Sequence, residues 1–87
     1  MGNPEHMNII LNSTVVEWNE WRNNNTRIRP DLTRIDLSNR DLSGIDFRGV
    51  GLFKAKFNNS LLINANLRQS IAIKADFSGC NLTGSQV

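Results

Sequence analysis

Ile35-Asp36-Leu37-Ser38-Asn39, Arg40-Asp41-Leu42-Ser43-Gly44 and Ile45-Asp46-Phe47-Arg48-Gly49 follow one another without a gap, each with a large apolar residue at its centre and an aspartate just before it. Extending the register both ways places an apolar residue at every fifth position: Leu32, Leu37, Leu42, Phe47, Leu52, Phe57, Leu62, Leu67, Ala72, Phe77, Leu82 and Val87. A period of five matches neither the helical nor the strand repeat, so no single helix or strand can aim all of these residues inward. The chain must turn once per unit.

The position two before each centre is mostly small or apolar, as at Pro30, Ile35, Ile45, Val50, Ala55, Ser60, Ala65 and Ala75, so each unit sends one large and one compact side chain inward. The position two after the centre is Gly44, Gly49, Gly79 or Gly84, or Asn39, Asn59 or Asn64, the residue types that tolerate a positive φ. Each unit therefore reads as a very short strand closed by a corner.

Segments such as Ile35-Asp36-Leu37-Ser38-Asn39, Ala65-Asn66-Leu67-Arg68-Gln69 and Ala75-Asp76-Phe77-Ser78-Gly79 resemble the A-(D/N)-L-x-x consensus of pentapeptide repeat proteins. The resemblance runs from Pro30 to Gly84 and implies a mainly β fold, a right-handed quadrilateral β-helix in which four units make a square coil of twenty residues. Eleven units then give about 2.75 coils. At a strand spacing of ~4.8 Å the solenoid is roughly 13 Å tall. Two domains are expected, a helical cap and linker over residues 1–29 and the solenoid over 30–87.

The twenty-residue coil implies vertical ladders in the core. Phe57 and Phe77 stack over Leu37; Leu42, Leu62 and Leu82 form a second ladder; Phe47, Leu67 and Val87 a third; Leu32, Leu52 and Ala72 a fourth. Two residues depart from the pattern. Arg40 occupies an inward position where a buried guanidinium would need a partner, so it should reach out at the N-terminal end. Ala72 is undersized at a centre and predicts a slack spot.

Before the repeats, Asn3-Pro4-Glu5 is a helix start, and Met7, Ile10, Leu11, Thr14, Trp18 and Trp21 recur at helical spacing. Thr14 with Glu17 is a capping-box match, which leaves one helix or two open. Asn23-Asn24-Asn25 should end the helix. A solenoid's first coil exposes backbone and apolar side chains that need a cover, so Trp18 and Trp21 are expected to cap the core over Leu32 and Leu37. The Val16–Arg22 segment followed by Arg29-Pro30-Asp31-Leu32 also resembles the helical lead-in of some bacterial pentapeptide repeat proteins.

Ten basic and eight acidic side chains in 87 residues leave a net charge of +2, too little concentrated charge for nucleic-acid binding or for imitation of DNA. Residues 1–11 hold polar side chains where a signal peptide needs an apolar run, and no stretch approaches a membrane span, so the expectation is a cytoplasmic chain without membrane contact. With His6 and Cys80 each alone, neither a metal site nor a disulfide within the chain is expected, and no cofactor. Asp31, Asp36, Asp41 and Asp46 precede four successive centres and point in different directions, so they do not converge as an acid–base pair. No enzyme is expected.

The outward positions carry apolar residues that the repeat does not require: Phe53, Leu61, Ile63, Ile71 and Ile73 form a candidate partner surface. Arg34, Lys54 and Lys74 form a basic column beside it. The last coil presents Phe77, Leu82 and Val87 as a candidate end-stacking interface. Together these features predict a protein-interaction or self-assembly scaffold that oligomerises through its last coil, as an end-to-end dimer or a head-to-tail filament. The resemblance also implies two alternatives, a DNA-mimicking protein that binds DNA gyrase, as in quinolone resistance, and a recognition module of a larger bacterial signalling or effector system. The short, net positive solenoid speaks against the first.

Overall fold

The computed structural model describes residues 2–87. Met1, the first residue of the expected helical segment, lies outside them. Two helices open the chain, α1 over Pro4–Leu11 and α2 over Val15–Asn24. The Asn3 side chain accepts the Glu5 and His6 amides ahead of α1, with Pro4 at the first helical position. Thr14 and Glu17 close both halves of a capping box at the start of α2, and this is what divides the segment into two helices. Asn25 ends α2 at φ −136°, outside the left-handed region, with its side-chain amide donating to the Trp21 carbonyl at 2.8 Å.

From residue 31 onward the chain winds with twenty residues per turn. Parallel bridges pair Asp31 with Gly51 and Gly51 with Ile71, Asp36 with Lys56 and Lys56 with Asp76, Asp41 with Leu61 and Leu61 with Asn81, and Asp46 with Asn66 and Asn66 with Gln86. These four columns of bridges define a first coil (residues 31–50), a second (51–70) and a third (71–87). Each centre of the first two coils donates its amide to the coil that follows, as Leu32 does to Gly51 at 2.8 Å. In the second and third coils each residue before a centre donates to the coil that precedes it, as Gly51 does to Pro30 at 2.9 Å.

A four-residue turn closes each corner, with the carbonyl of the centre accepting the amide three residues on, for example Leu32 from Ile35 at 3.0 Å. The third residue of every turn from Arg34 to Gly84 has a positive φ. Glycine and asparagine fill seven of these corners, and Arg34, Lys54, Gln69 and Lys74 occupy the other four at φ 57–66°.

The corner at Arg40 is built differently. There the Ser60 hydroxyl takes the Arg40 amide at 3.1 Å and donates to the Leu37 carbonyl at 2.5 Å, standing in for the direct turn bond. Ser60 is fully buried and satisfied, and Arg40 turns out to solvent. A hydroxyl from the next coil thus accommodates the one charged residue in the inward register.

Leu32, Leu37, Leu42, Phe47, Leu52, Phe57, Leu62 and Leu67 are all buried at the centres of the first two coils. A chain of rings runs through this core from the helices to the last coil. His6 and Trp21 lie 5.9 Å apart between centroids, Trp21 and Trp18 5.3 Å, Trp18 and Phe47 6.1 Å edge-on, and Phe47 and Phe57 5.9 Å. Phe57 and Phe77 then stack at 5.1 Å with planes 3° apart, the vertical register of one coil on the next.

Candidate functional site

The two ends of the coil stack differ, and the helices are the reason. The first coil's upper edge carries amides and carbonyls with no preceding coil to meet them. Asn3 donates its amide to the Asp31 carbonyl at 2.9 Å, and His6 Nδ1 accepts the Asp31 amide at 3.0 Å. In the fourth column the Asp46 carbonyl accepts from Trp18 Nε1 at 2.9 Å and from Arg22 Nη1 at 3.0 Å. Asn19 accepts the Asp46 amide at 2.8 Å and donates to the Gly44 carbonyl at 3.1 Å. Arg22 Nη2 reaches the Arg48 carbonyl at 2.5 Å. These bonds fasten the cap and occupy, at Asp31, Gly44, Asp46 and Arg48, part of the edge on which another coil would stack.

Trp18 is fully buried in the same core cluster as Leu32 and Leu37, with its ring edge-on to Phe47 and its Nε1 donating to the Asp46 carbonyl in the fourth column. Trp21 is half-buried behind it, between Trp18 and His6. Asn3, His6, Asn19 and Arg22 are edge-capping residues that sequence reasoning passed over. For Asn19 and Arg22 the available signal was their place one and four residues after Trp18, on the rim of the buried face.

At the other end the third coil has nothing beneath it among the described residues. In the second coil the Phe57, Asn59, Leu62 and Asn64 amides donate to Asp76, Ser78, Asn81 and Thr83. The equivalent amides of the third coil, at Phe77, Gly79, Leu82 and Gly84, have no such acceptor in residues 2–87. Phe77 is half-buried, Leu82 is 36% exposed and Val87 92% exposed. Leu67, Ala72, Phe77, Leu82 and Val87 surround a largely apolar cavity of about 280 Å³. Ala72, too small for its ladder under Leu52, leaves part of that space.

The outward apolar residues divide into two groups. Leu61, Ile71 and Ile73 are exposed, whereas Phe53 and Ile63 are half-buried, and the Lys54 ammonium lies 5.4 Å from the centre of the Phe53 ring. The exposed set expected from the register is therefore smaller by two. Leu11 and Val16 in the helices and Ile28 in the linker are exposed apolar residues that the repeat register does not reach.

The acids have a local role. Asp31, Asp36, Asp41, Asp46 and Asp76 each accept the amide two residues on, at 2.9–3.1 Å, and Asn66 and Asn81 do the same. Such bonds hold the corner that follows. They also favour the ionised form: the Ser78 hydroxyl, then Asn58 and the Ser78 amide, hold Asp76 down at about 2. Burial pushes the Cys80 thiol up, away from the thiolate a nucleophile needs. Among the described residues no cluster of three or more His, Cys, Asp or Glu side chains is placed to hold a metal ion.

A scan against protein families matches pentapeptide repeats, in eight copies, over residues 31–69 and 52–86. The chain belongs to the pentapeptide repeat family. Neither a curated protein nor a solved structure matches it. Pentapeptide repeat proteins are generally non-catalytic scaffolds, and the repeats supply the regular stack that such a role uses. No helix among the described residues is long and apolar enough to cross a membrane.

Proposed function

We propose that this pentapeptide repeat protein is a short right-handed quadrilateral β-helix, capped by its helices, that acts as a non-catalytic interaction scaffold and self-associates through its third coil. The observation that carries the reading is the uncovered apolar floor formed by Leu67, Ala72, Phe77, Leu82 and Val87 beside a row of backbone amides. Four columns of bridges at twenty-residue intervals support the square coil. The handedness rests on the family.

Asymmetry between the ends favours a closed pair. A head-to-tail filament needs the upper edge of each copy, where Asn3, His6, Trp18, Asn19 and Arg22 already hold the Asp31, Gly44, Asp46 and Arg48 backbone groups. Two third coils meeting about a two-fold axis leave both caps in place and bury both floors. Each copy covers the other's amides and apolar side chains.

Sedimentation equilibrium of the full chain over a wide concentration range tests the reading. A species of twice the 9.8 kDa chain mass is expected, and Leu82→Lys should return it to one chain mass while the far-ultraviolet spectrum is kept. A mass that climbs without limit would favour the filament. A single-chain mass at every concentration would remove self-association altogether.

A further inference from the structure

Between the end of α2, the linker 25–29 and the fourth column lies a cleft of about 330 Å³, which unlike the apolar floor is lined by three guanidinium groups. Arg22 comes from α2, Arg29 from the linker and Arg48 from the first coil. Asp46 is the one carboxylate in the lining, and it faces Arg22 and Arg48. Arg48 binds it through Nε and Nη2, both at 3.0 Å, while Arg22 Nη1 stands 3.9 Å from Asp46 Oδ1. Three positive charges against one negative leave an excess of two.

We infer that this cleft binds a phosphomonoester dianion. Its double charge matches the excess, and its three terminal oxygens suit recognition by several guanidinium groups. Two of the three are already positioned. The Asp46 and Arg48 carbonyls and the Asp46 carboxylate fix Arg22, whose side chain is 12% exposed, and Asp46 fixes Arg48, so little side-chain freedom is lost on binding.

Burial is the main cause that lowers the Arg22 pKa; the Asp46 charge opposes it, and the Arg48 charge adds a smaller lowering. The nearby C-terminus of α2 contributes roughly half a negative charge, which reduces the excess without reversing it. The cavity exceeds what a phosphate group alone fills, at the lower end of the ~300–1,000 Å³ range of small-molecule sites. Ile28 adds an apolar wall for the substituent, and a side chain's space stands open above Gly49.

Calorimetry on the full chain with O-phosphoserine, and with serine at matched ionic strength, tests the inference. O-phosphoserine should bind and serine should not. With a second phosphate pKa of ≈ 6, binding should be about fourfold tighter at pH 7.5 than at pH 5.5. Arg29→Gln, whose side chain makes no hydrogen bond among the described residues, should weaken binding roughly tenfold without loss of the fold, as should Arg48→Gln. Amide shifts on titration should centre on Thr26, Gly49 and Gln69. Equal binding of serine, unchanged affinity in Arg29→Gln, or shifts centred instead on Arg34, Lys54 and Lys74 would each overturn the assignment. Inorganic phosphate as a second probe separates the dianion itself from its substituent: affinity equal to that of O-phosphoserine supports recognition of the dianion alone, and no binding of either overturns the site.

Discussion

The first and third coils are written in the same five-residue register, yet they sit in different physical environments. In the first coil Leu32, Leu37 and Phe47 are fully buried and α1 and α2 are bonded to the edge above. In the third, Phe77 is half-buried and Leu82 and Val87 are exposed. A repeat therefore fixes which way a side chain points but not how much it stabilises, because the burial comes from the neighbouring coil. The cap supplies for the first coil what the third lacks.

That contrast should appear as a large difference between two truncations. Trp18→Ala removes a fully buried ring, its edge-on contact with Phe47 and its hydrogen bond to the Asp46 carbonyl. The expected loss is about 3–5 kcal/mol in urea unfolding. Leu82→Ala, at a formally equivalent inward centre, should cost under about 1 kcal/mol when measured at concentrations where the chain is a monomer. Equal losses would mean that the helices are not the first coil's cover.

The centres and most corners were legible because each has a residue type that physics demands. Large apolar side chains fill the core, and Gly44 or Asn59 accept a positive φ at little cost. Arg34, Lys54, Gln69 and Lys74 take the same conformation without any such mark, so only the spacing identifies those corners. Arg40 was visible as an anomaly, but its remedy, the Ser60 hydroxyl twenty residues on, depends on a vertical contact that the local sequence does not encode. Trp18 was legible as a cap residue. Its docking over Phe47 was not, because the linker length leaves open which column the helix faces. The third coil's apolar floor followed from the register, whereas the arginine cleft did not, since it joins segments from α2, the linker and the coil.

Glycine corners reverse the ranking of the coils. Gly44, in the first coil, and Gly79, in the third, have φ values of 75° and 69°. A Cβ on Gly44 meets open space, whereas one on Gly79 collides with the Asn59 carboxamide stacked on it. Gly44→Ala should cost about 1–2 kcal/mol for the left-handed backbone, and Gly79→Ala more. The double variant Asn59→Gly with Gly79→Ala should bring the cost at Gly79 back to that at Gly44. If the two single variants unfold alike and Asn59→Gly changes nothing, the vertical stack at that corner is not tight.

Acid should act first on the coil that is otherwise better protected. All four residues preceding the first coil's centres are aspartates with lowered pKa values, while the third coil has Asp76 and the non-titrating Asn81. For Asp36 and Asp41 the Ser38 and Ser43 hydroxyls are the leading cause, followed by their amides. A carboxylate favoured in the folded state contributes stability above its unfolded value near 3.8, and that contribution disappears as pH falls through the lower folded value. Thermal midpoints should thus hold steady from pH 7 to about 5 and decline below that. Asp36→Asn with Asp41→Asn keeps the acceptor, as Asn66 and Asn81 already do for Arg68 and Thr83, but removes the proton. The double variant should lose that contribution at neutral pH and show a shallower decline between pH 4 and 2. An unchanged acid slope would place the sensitivity elsewhere, at Asp31 with Thr33 or at the Asp46 pairings under the cap.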